Sequence, residues 1–144
     1  MTKVLTVKTD ASYKKGLGFS LAYEAEFFER GNVKDHFKNS KFIDRKGKST
    51  DAEIIAVAYG IVETYRELDG DVDDCSLIIE CDCRPAVKTY ESHVNEYQND
   101  KLQKTMEFFL DEFYSWTINW IPRETNQTAD ALAKEELRRA EDRV

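Results

Sequence analysis

Four acidic residues stand where folded chains often place functional carboxylates. Asp10 and Asp82 end the apolar segments "KVLTVKTD" and "CSLIIECD", while Glu53 and Asp130 fall in the first turns of two predicted helices. Each has an ordinary structural explanation: a turn residue, a capping box between Thr50 and Glu53, a helix cap, or a charge that favours the helix dipole. Brought together, they would repel one another, and hard divalent cations with oxygen ligands would relieve that repulsion. The set therefore predicts a metal site, provided that the fold gathers it at one place.

The elements that would position these acids alternate along the chain as β-β-β-α-β-α-α-β-α. Hydrophobic periodicity and turn residues predict these elements at 3–10, 16–27, 33–43, 49–68, 75–82, 85–90, 101–113, 115–122 and 127–139. Because strand-helix-strand units give parallel neighbours, the prediction is an α/β fold with a mixed five-stranded sheet, three antiparallel strands plus two parallel, flanked by helices. Ligands of such sheets gather at the carboxyl ends of the parallel strands.

Length and composition limit the classes of protein to consider. A chain of 144 residues with 41% hydrophobic content suits a single domain spanning residues 1–144, which we expect to be a monomer. No segment is apolar over the roughly 18 residues of a membrane helix, and the N-terminal sequence lacks a signal-peptide pattern, so a cytoplasmic protein is expected. The net charge of -7 argues against a free-standing, high-affinity nucleic-acid binder, but not against an enzyme whose bound cations neutralise local acid.

Other side chains with possible chemistry have simpler interpretations. The cysteines are odd in number and do not form a zinc-ligand pattern, so packing is predicted for Cys75, Cys81 and Cys83. Trp116 and Trp120 alternate on the last predicted strand, where core packing is favoured over base stacking.

Four segments resemble, in order, the acidic motifs of the type 1 ribonuclease H family, and especially its plant-type, reverse-transcriptase-like branch. They are "VKTDAS", "TDAEIIAVAYGI", "LIIECDCRPAVK" and "WIPRETNQTADALAK", and the resemblance covers nearly the whole chain. It implies a ribonuclease-H-like fold. It also implies a metal-dependent endonuclease that hydrolyses the RNA strand of RNA/DNA hybrids to 5'-phosphate and 3'-hydroxyl products. Two Mg²⁺ ions would be the cofactors, with Mn²⁺ as a substitute.

The resemblance also implies a role for each acid. Asp10 would bridge both ions, Glu53 and Asp82 would share one, and Asp130 would help to hold the ion that activates water. Asn126 would cap the last helix and so fix the direction in which Asp130 projects.

Preference for RNA would come from contacts to 2'-hydroxyl groups, for which Glu53 and the backbone near Ser12 and Arg84 are candidates. Phosphate contacts are assigned to the local cations Lys14, Lys15, Arg84, Lys88 and Arg123. Taken singly, each such cation is more often a solvated surface charge. Ser12 and Asn126 complete the predicted substrate-binding set.

Departures from the family pattern leave two other functions open. The histidine that often precedes the last helix is missing, and no basic, Trp-rich helix follows the third acid, so low hybrid affinity is expected. One alternative is therefore a catalytically weak ribonuclease-H-like interaction module. If the protein is instead an active enzyme, a protein partner could deliver the hybrid to it. A proofreading-type exonuclease is disfavoured, because such enzymes carry Asp-x-Glu where this chain has Asp10-Ala11-Ser12.

Overall fold

A five-stranded mixed sheet is the centre of the computed structural model, which describes residues 3–92 and 100–144. Its strands are β1 Lys3–Lys14, β2 Gly18–Glu29, β3 Asn32–Ile43, β4 Cys75–Cys81 and β5 Ser115–Trp120, in the order β3-β2-β1-β4-β5. Four α-helices flank it: α1 Ser49–Glu67, α2 Arg84–Glu91, α3 Asp100–Asp111 and α4 Gln127–Asp142. β1, β2 and β3 pair antiparallel, and β4 is parallel to both β1 and β5. The predicted fold class is confirmed.

Strand β1 is longer than predicted. It pairs with β2 as far as Lys14, opposite Gly18, whereas its pairing with β4 stops at Thr9, opposite Cys81. Asp10 therefore lies inside β1 and not at its end, because β2 continues the ladder on one side. On the side where β4 has ended, the strand leaves room for side chains from other elements to approach Asp10.

Helix α1 packs on one face of the sheet, against β1 and β2. Its apolar stripe has the predicted spacing, and Ile54, Ala58 and Ile61 are buried. At Gly60 the helix comes so close to β1 that a Cβ atom would lie 2.9 Å from the Thr9 side chain. A glycine is required there, since real Cβ atoms do not approach other heavy atoms so closely.

Helix α4 packs on the opposite face, across β1, β2 and β3. Its small residues Ala129 and Ala133 are buried against the strands, which brings the helix backbone near the sheet. Ser20 of β2 uses this proximity, because its hydroxyl donates to the Ala133 carbonyl oxygen over 2.6 Å. The first turn of α4 is thereby held beside β1.

The two tryptophans of β5 differ in environment. Trp116 packs against the core as predicted, but 38% of Trp120 is exposed, so the prediction of core packing is wrong for that residue. Trp120 is the last residue of β5, an edge strand whose single pairing partner in the described sheet is β4. Among the described residues, no helix is both long and apolar enough to cross a membrane.

Candidate metal centre

Three of the four predicted acids converge on one point. Asp10, Glu53 and Asp82 each offer a carboxylate oxygen, and these oxygens lie within 4.8 Å of one another. Asp10 is only 6% exposed, and its Oδ1 accepts a hydrogen bond from the Ala11 backbone N–H over 2.9 Å. Residues distant in sequence, from β1, α1 and the end of β4, therefore form one acidic cluster.

Glu53 is free to join this cluster because another acid caps its helix. Lys48 occupies the N-cap position of α1, and its backbone N–H donates to the Asp51 carboxylate over 2.8 Å. The alternative explanation, a capping box between Thr50 and Glu53, is therefore wrong. One oxygen of Glu53, Oε1, is buried without a hydrogen-bond partner. An unsatisfied buried oxygen is unfavourable unless a ligand completes it.

Burial and mutual repulsion change the proton affinity of the cluster. Burial, followed by the charge of Asp10, raises the pKa of Glu53 from 4.5 to about 9. Burial, followed by the charge of Asp82, raises the pKa of Asp10 from 3.8 to about 7. At neutral pH the cation-free cluster thus retains protons that isolated carboxyls would lose. A divalent cation would take the place of those protons, and an all-oxygen ligand set with an orphaned buried oxygen fits a hard ion such as Mg²⁺.

Asp82 is held by the strand beside it and does not cap α2. Cys83 is the N-cap residue of that helix. The backbone carbonyl of Asp82 accepts a hydrogen bond from Trp120 Nε1 over 3.2 Å, and the Ile121 N–H donates to the Cys81 carbonyl over 3.0 Å. The helix-cap explanation of Asp82 is therefore wrong, and its carboxylate is left to the cluster.

Asp130 lies next to the cluster but outside the group of three ligand oxygens. It is in the first turn of α4, as predicted, and its carboxyl is a smaller cause of the raised pKa of Asp10, after burial and the charge of Asp82. Its Oδ2 also forms an ion pair with Lys134 one turn later, at 3.0 Å. Asp130 thus lies between Asp10 of the cluster and Lys134 of its own helix.

Asn126 stands at the N-cap position of α4, but its side chain does not cap the helix. Instead its Nδ2 donates to the Thr9 carbonyl over 2.9 Å and lies 3.5 Å from Asp82 Oδ2. Its Oδ1 is buried without a hydrogen-bond partner. The predicted N-cap position is confirmed, but the side chain forms no capping hydrogen bond, because the amide faces β1 and the acidic cluster, away from the helix backbone.

Four of the predicted phosphate-binding cations line two separate cavities. Lys14 and Lys15, with Arg45 and Lys46, line a cavity of about 470 Å³ between the β1–β2 turn and the loop before α1. Lys14 also forms an ion pair with Glu141 of α4 at 2.8 Å. Arg45 and Lys46 were not among the predicted cations, although the basic run "DRKGK" marks both in the sequence.

The remaining predicted contacts lie on α2, within β1 and before α4. Arg84 and Lys88 line a groove of about 560 Å³ between α1 and α2, and both side chains are exposed. Ser12 is half-buried in β1, two residues after Asp10, and Arg123 is exposed in a short 3₁₀ turn before α4.

Comparison with known proteins gives one family match and several solved structures. A family model described as reverse transcriptase-like matches residues 27–136, which include Glu53, Asp82 and Asp130 but not Asp10. None of the curated proteins matches the sequence significantly.

The similar structures share the fold at low sequence identity. Ribonuclease H1 from the archaeon Halobacterium salinarum superposes with a TM-score of 0.71 at 20% identity, covering 93% of this chain and 97% of that one. LC11-RNase H1 from compost, solved in complex with an RNA/DNA hybrid, gives 0.69 at 17% identity, with 94% and 98% covered. The N-terminal ribonuclease H domain of a Mycobacterium tuberculosis protein gives 0.66 at 17% identity, with 96% of each chain covered.

The superpositions establish the fold, and the family match, which spans more than half of the chain, establishes the family. The resemblance drawn from the four motifs is thereby confirmed. The chain has the ribonuclease H fold and belongs to the reverse transcriptase-like family.

Proposed function

We propose that this protein is a metal-dependent endonuclease that hydrolyses the RNA strand of RNA/DNA hybrids, leaving 5'-phosphate and 3'-hydroxyl ends. Residues 1–144 would act as a single ribonuclease-H-like domain. The observation that carries the proposal is the cluster of Asp10, Glu53 and Asp82, whose ligand oxygens lie within 4.8 Å of one another and in which Glu53 Oε1 is buried without a hydrogen-bond partner. A related fold crystallised with an RNA/DNA hybrid adds support.

Asp10, Glu53, Asp82 and Asp130 would hold two Mg²⁺ ions, with Mn²⁺ able to replace them. Such a pair of ions, when bound, lowers the pKa of the attacking water and neutralises the departing 3'-oxygen. Asp10 would serve both ions, because it is the most buried of the three clustered acids and its ligand oxygen lies within 4.8 Å of those of both Glu53 and Asp82. Asn126 fixes the spacing, since it contacts the residue before Asp10 and approaches Asp82.

The hybrid would lie across the exposed edge at which the cluster opens. Arg84 and Lys88 stand on the α2 side of that edge and Lys15 on the side of the β1–β2 turn, so phosphates can be contacted on both sides. The backbone near Ser12 and Arg84 would meet the 2'-hydroxyl groups that distinguish RNA from DNA. Arg123 and Asn126 belong to the same proposed surface.

A second candidate, a catalytically weak interaction module, is favoured by two observations. Lys134 forms an ion pair with Asp130, and the net charge is -7. The ion pair competes with metal binding by Asp130, and the negative net charge opposes strong binding of a polyanion, so a protein partner would then be needed to bring the hybrid to the site.

Cleavage of an end-labelled hybrid, followed on a denaturing gel with Mg²⁺ or Mn²⁺, tests the proposal. Internal cuts in the RNA strand are expected, and replacing that strand by DNA should abolish them because the 2'-hydroxyl contacts are lost. The Asp10→Asn protein is the control for contaminating nuclease. Equal cutting of the all-DNA duplex would indicate a general nuclease, whereas no cutting of any duplex would favour the interaction module.

A further inference from the structure

Trp120 contacts both sides of the turn that carries Asp82. Its Nε1–H donates to the Asp82 carbonyl over 3.2 Å, and its ring lies beneath the Arg84 guanidinium, with Cζ 3.8 Å from the ring centroid. The ring remains 38% exposed, at the end of β5. One aromatic side chain thus fixes the backbone of an acid in the cluster and the direction of the cation two residues later.

Stacking of this kind leaves the guanidinium able to bind an anion. The ring face attracts the cation but does not neutralise it, and the N–H donors point outward in the guanidinium plane. Within residues 3–92 and 100–144, no ion pair involves Arg84, although Lys14 and Lys134 do have carboxylate partners. Arg84 is therefore an oriented and uncompensated cation at the rim of the acidic cluster.

We propose that Trp120 is a positioning residue that holds Arg84 in place to form a two-pronged hydrogen-bonded contact with one phosphate of the hybrid beside the acidic cluster. This inference rests on the proposed function, since it names a residue that determines how that substrate is held. An unsupported arginine would lose side-chain freedom on binding, whereas a stacked one has lost it already. Trp120 would thus strengthen hybrid binding without touching the substrate.

Hybrid binding in EDTA, measured by fluorescence anisotropy at several salt concentrations, separates this role from catalysis. Arg84→Met should weaken binding roughly five- to thirtyfold and reduce the salt slope by about 0.9, as expected for one phosphate contact. Trp120→Leu should weaken binding by a similar factor although it removes no charge. Combining both changes should add little to either, because the two side chains act as one unit. Trp120→Phe, which keeps a ring but not the N–H, should lose less than Trp120→Leu.

Matched controls are available elsewhere in the chain. Lys38→Met removes an exposed charge from β3, and Tyr114→Leu removes an aromatic ring that is 68% exposed beyond the opposite end of β5. Neither should change hybrid affinity by more than about twofold, given the weakness of isolated surface charges. In a Trp116→Phe background, the emission of Trp120 should change on Arg84→Met, which reports the stack directly.

The outcomes distinguish this inference from the proposed function. Wild-type affinity in a folded Trp120→Leu protein, or losses that add fully in the double variant, would overturn the positioning role while hybrid cleavage by the wild type stood. A wild-type protein that neither binds nor cleaves the hybrid would overturn both. Unfolding of Trp120→Leu, seen by circular dichroism, would shift the decision to Trp120→Phe and to the emission change.

Discussion

The side-chain amide of Asn126 donates a hydrogen bond to the backbone carbonyl of Thr9 over 2.9 Å. Thr9 immediately precedes Asp10, and the backbone carbonyl of Asn126 accepts from the Asp130 N–H over 3.1 Å. One residue thus links the strand that carries the first acid to the helix that carries the fourth. A neutral residue therefore connects the backbone segments that carry these two acids.

Asn126→Ala should therefore destabilise the fold and impair the site together. The Thr9 carbonyl would lose a buried donor, which costs about 1–3 kcal/mol. Hybrid cleavage should fall further than this loss of stability explains, because Asp130 would no longer be held beside Asp10. Thermal unfolding and cleavage rates of the same protein samples check both parts, and full activity at a reduced Tm would show that the link is structural only.

The layout of the sheet was readable from the sequence because it depends on local periodicity. Alternating residues in β2 and the 3.6-residue stripe of α1 identify their buried faces without knowledge of any partner. The four acids could be selected for a related reason: the βα connection rules bring the ends of parallel strands to one edge. For Asp10, Glu53 and Asp82 that argument led to the cluster that the structure contains.

Other features depend on contacts distant in sequence and could not be read locally. The end of β1 is decided by β2, which continues pairing to Lys14, and not by the residues after Asp10. The direction of the Asn126 amide depends on a carbonyl 117 residues away. The exposure of Trp120 follows from its position at the end of an edge strand, which alternation alone does not reveal.

Asp10→Asn tests the acidic cluster directly. Removing this charge should reduce hybrid cleavage by orders of magnitude, since it takes away the proposed bridging ligand. Metal-free stability at pH 8 should rise, because Asp82 and Glu53 would lose a charged neighbour. Asp35→Asn, an exposed change in β3, is the matched control and should alter neither quantity. Unchanged cleavage in Asp10→Asn would refute the metal assignment.

Lys134→Met tests whether the ion pair with Asp130 competes with metal binding. The pair spans one helical turn and Lys134 is well exposed, so its loss should change stability by less than about 0.5 kcal/mol. Mg²⁺ affinity should rise roughly two- to fivefold as Asp130 is released. Arg138→Met removes ion pairs with Glu135 and Asp142 on the same helix and should leave metal binding unaltered. Calorimetric titration with Mg²⁺ compares the three proteins.

The salt dependence of hybrid binding reports how many cations meet phosphate. Few contacts are expected, so the slope of log K against log salt should be shallow. Its magnitude should be well below the value of about 9 that ten contacts would give. Lys15→Met and Lys46→Met should each reduce it by about 0.9 if the cavity beside the β1–β2 turn carries the strand. Slopes equal to that of the wild type would place the substrate elsewhere.

The raised pKa values of Asp10 and Glu53 predict how stability depends on pH. The folded, metal-free protein holds protons up to about pH 7 on Asp10 and about pH 9 on Glu53, whereas their ordinary values are 3.8 and 4.5. The folded state therefore binds more protons than the unfolded chain between about pH 4 and pH 9. The resulting stability is fully present below that window and is lost as pH rises through it.

In EDTA, Tm should accordingly fall between pH 5 and pH 9, by at least roughly 4 °C, as a loss of about 1–2 kcal/mol gives in a domain of this size. Mg²⁺ should restore Tm at pH 8, where the carboxylates are available, and have little effect at pH 5, where protons occupy them. The Asp10→Asn protein should show a shallower fall and a smaller response to Mg²⁺. Two outcomes would contradict the view that the buried carboxylates repel one another and that a bound cation relieves this repulsion. One is a Tm that does not change across this pH range in EDTA, and the other is an equal Mg²⁺ effect at both pH values.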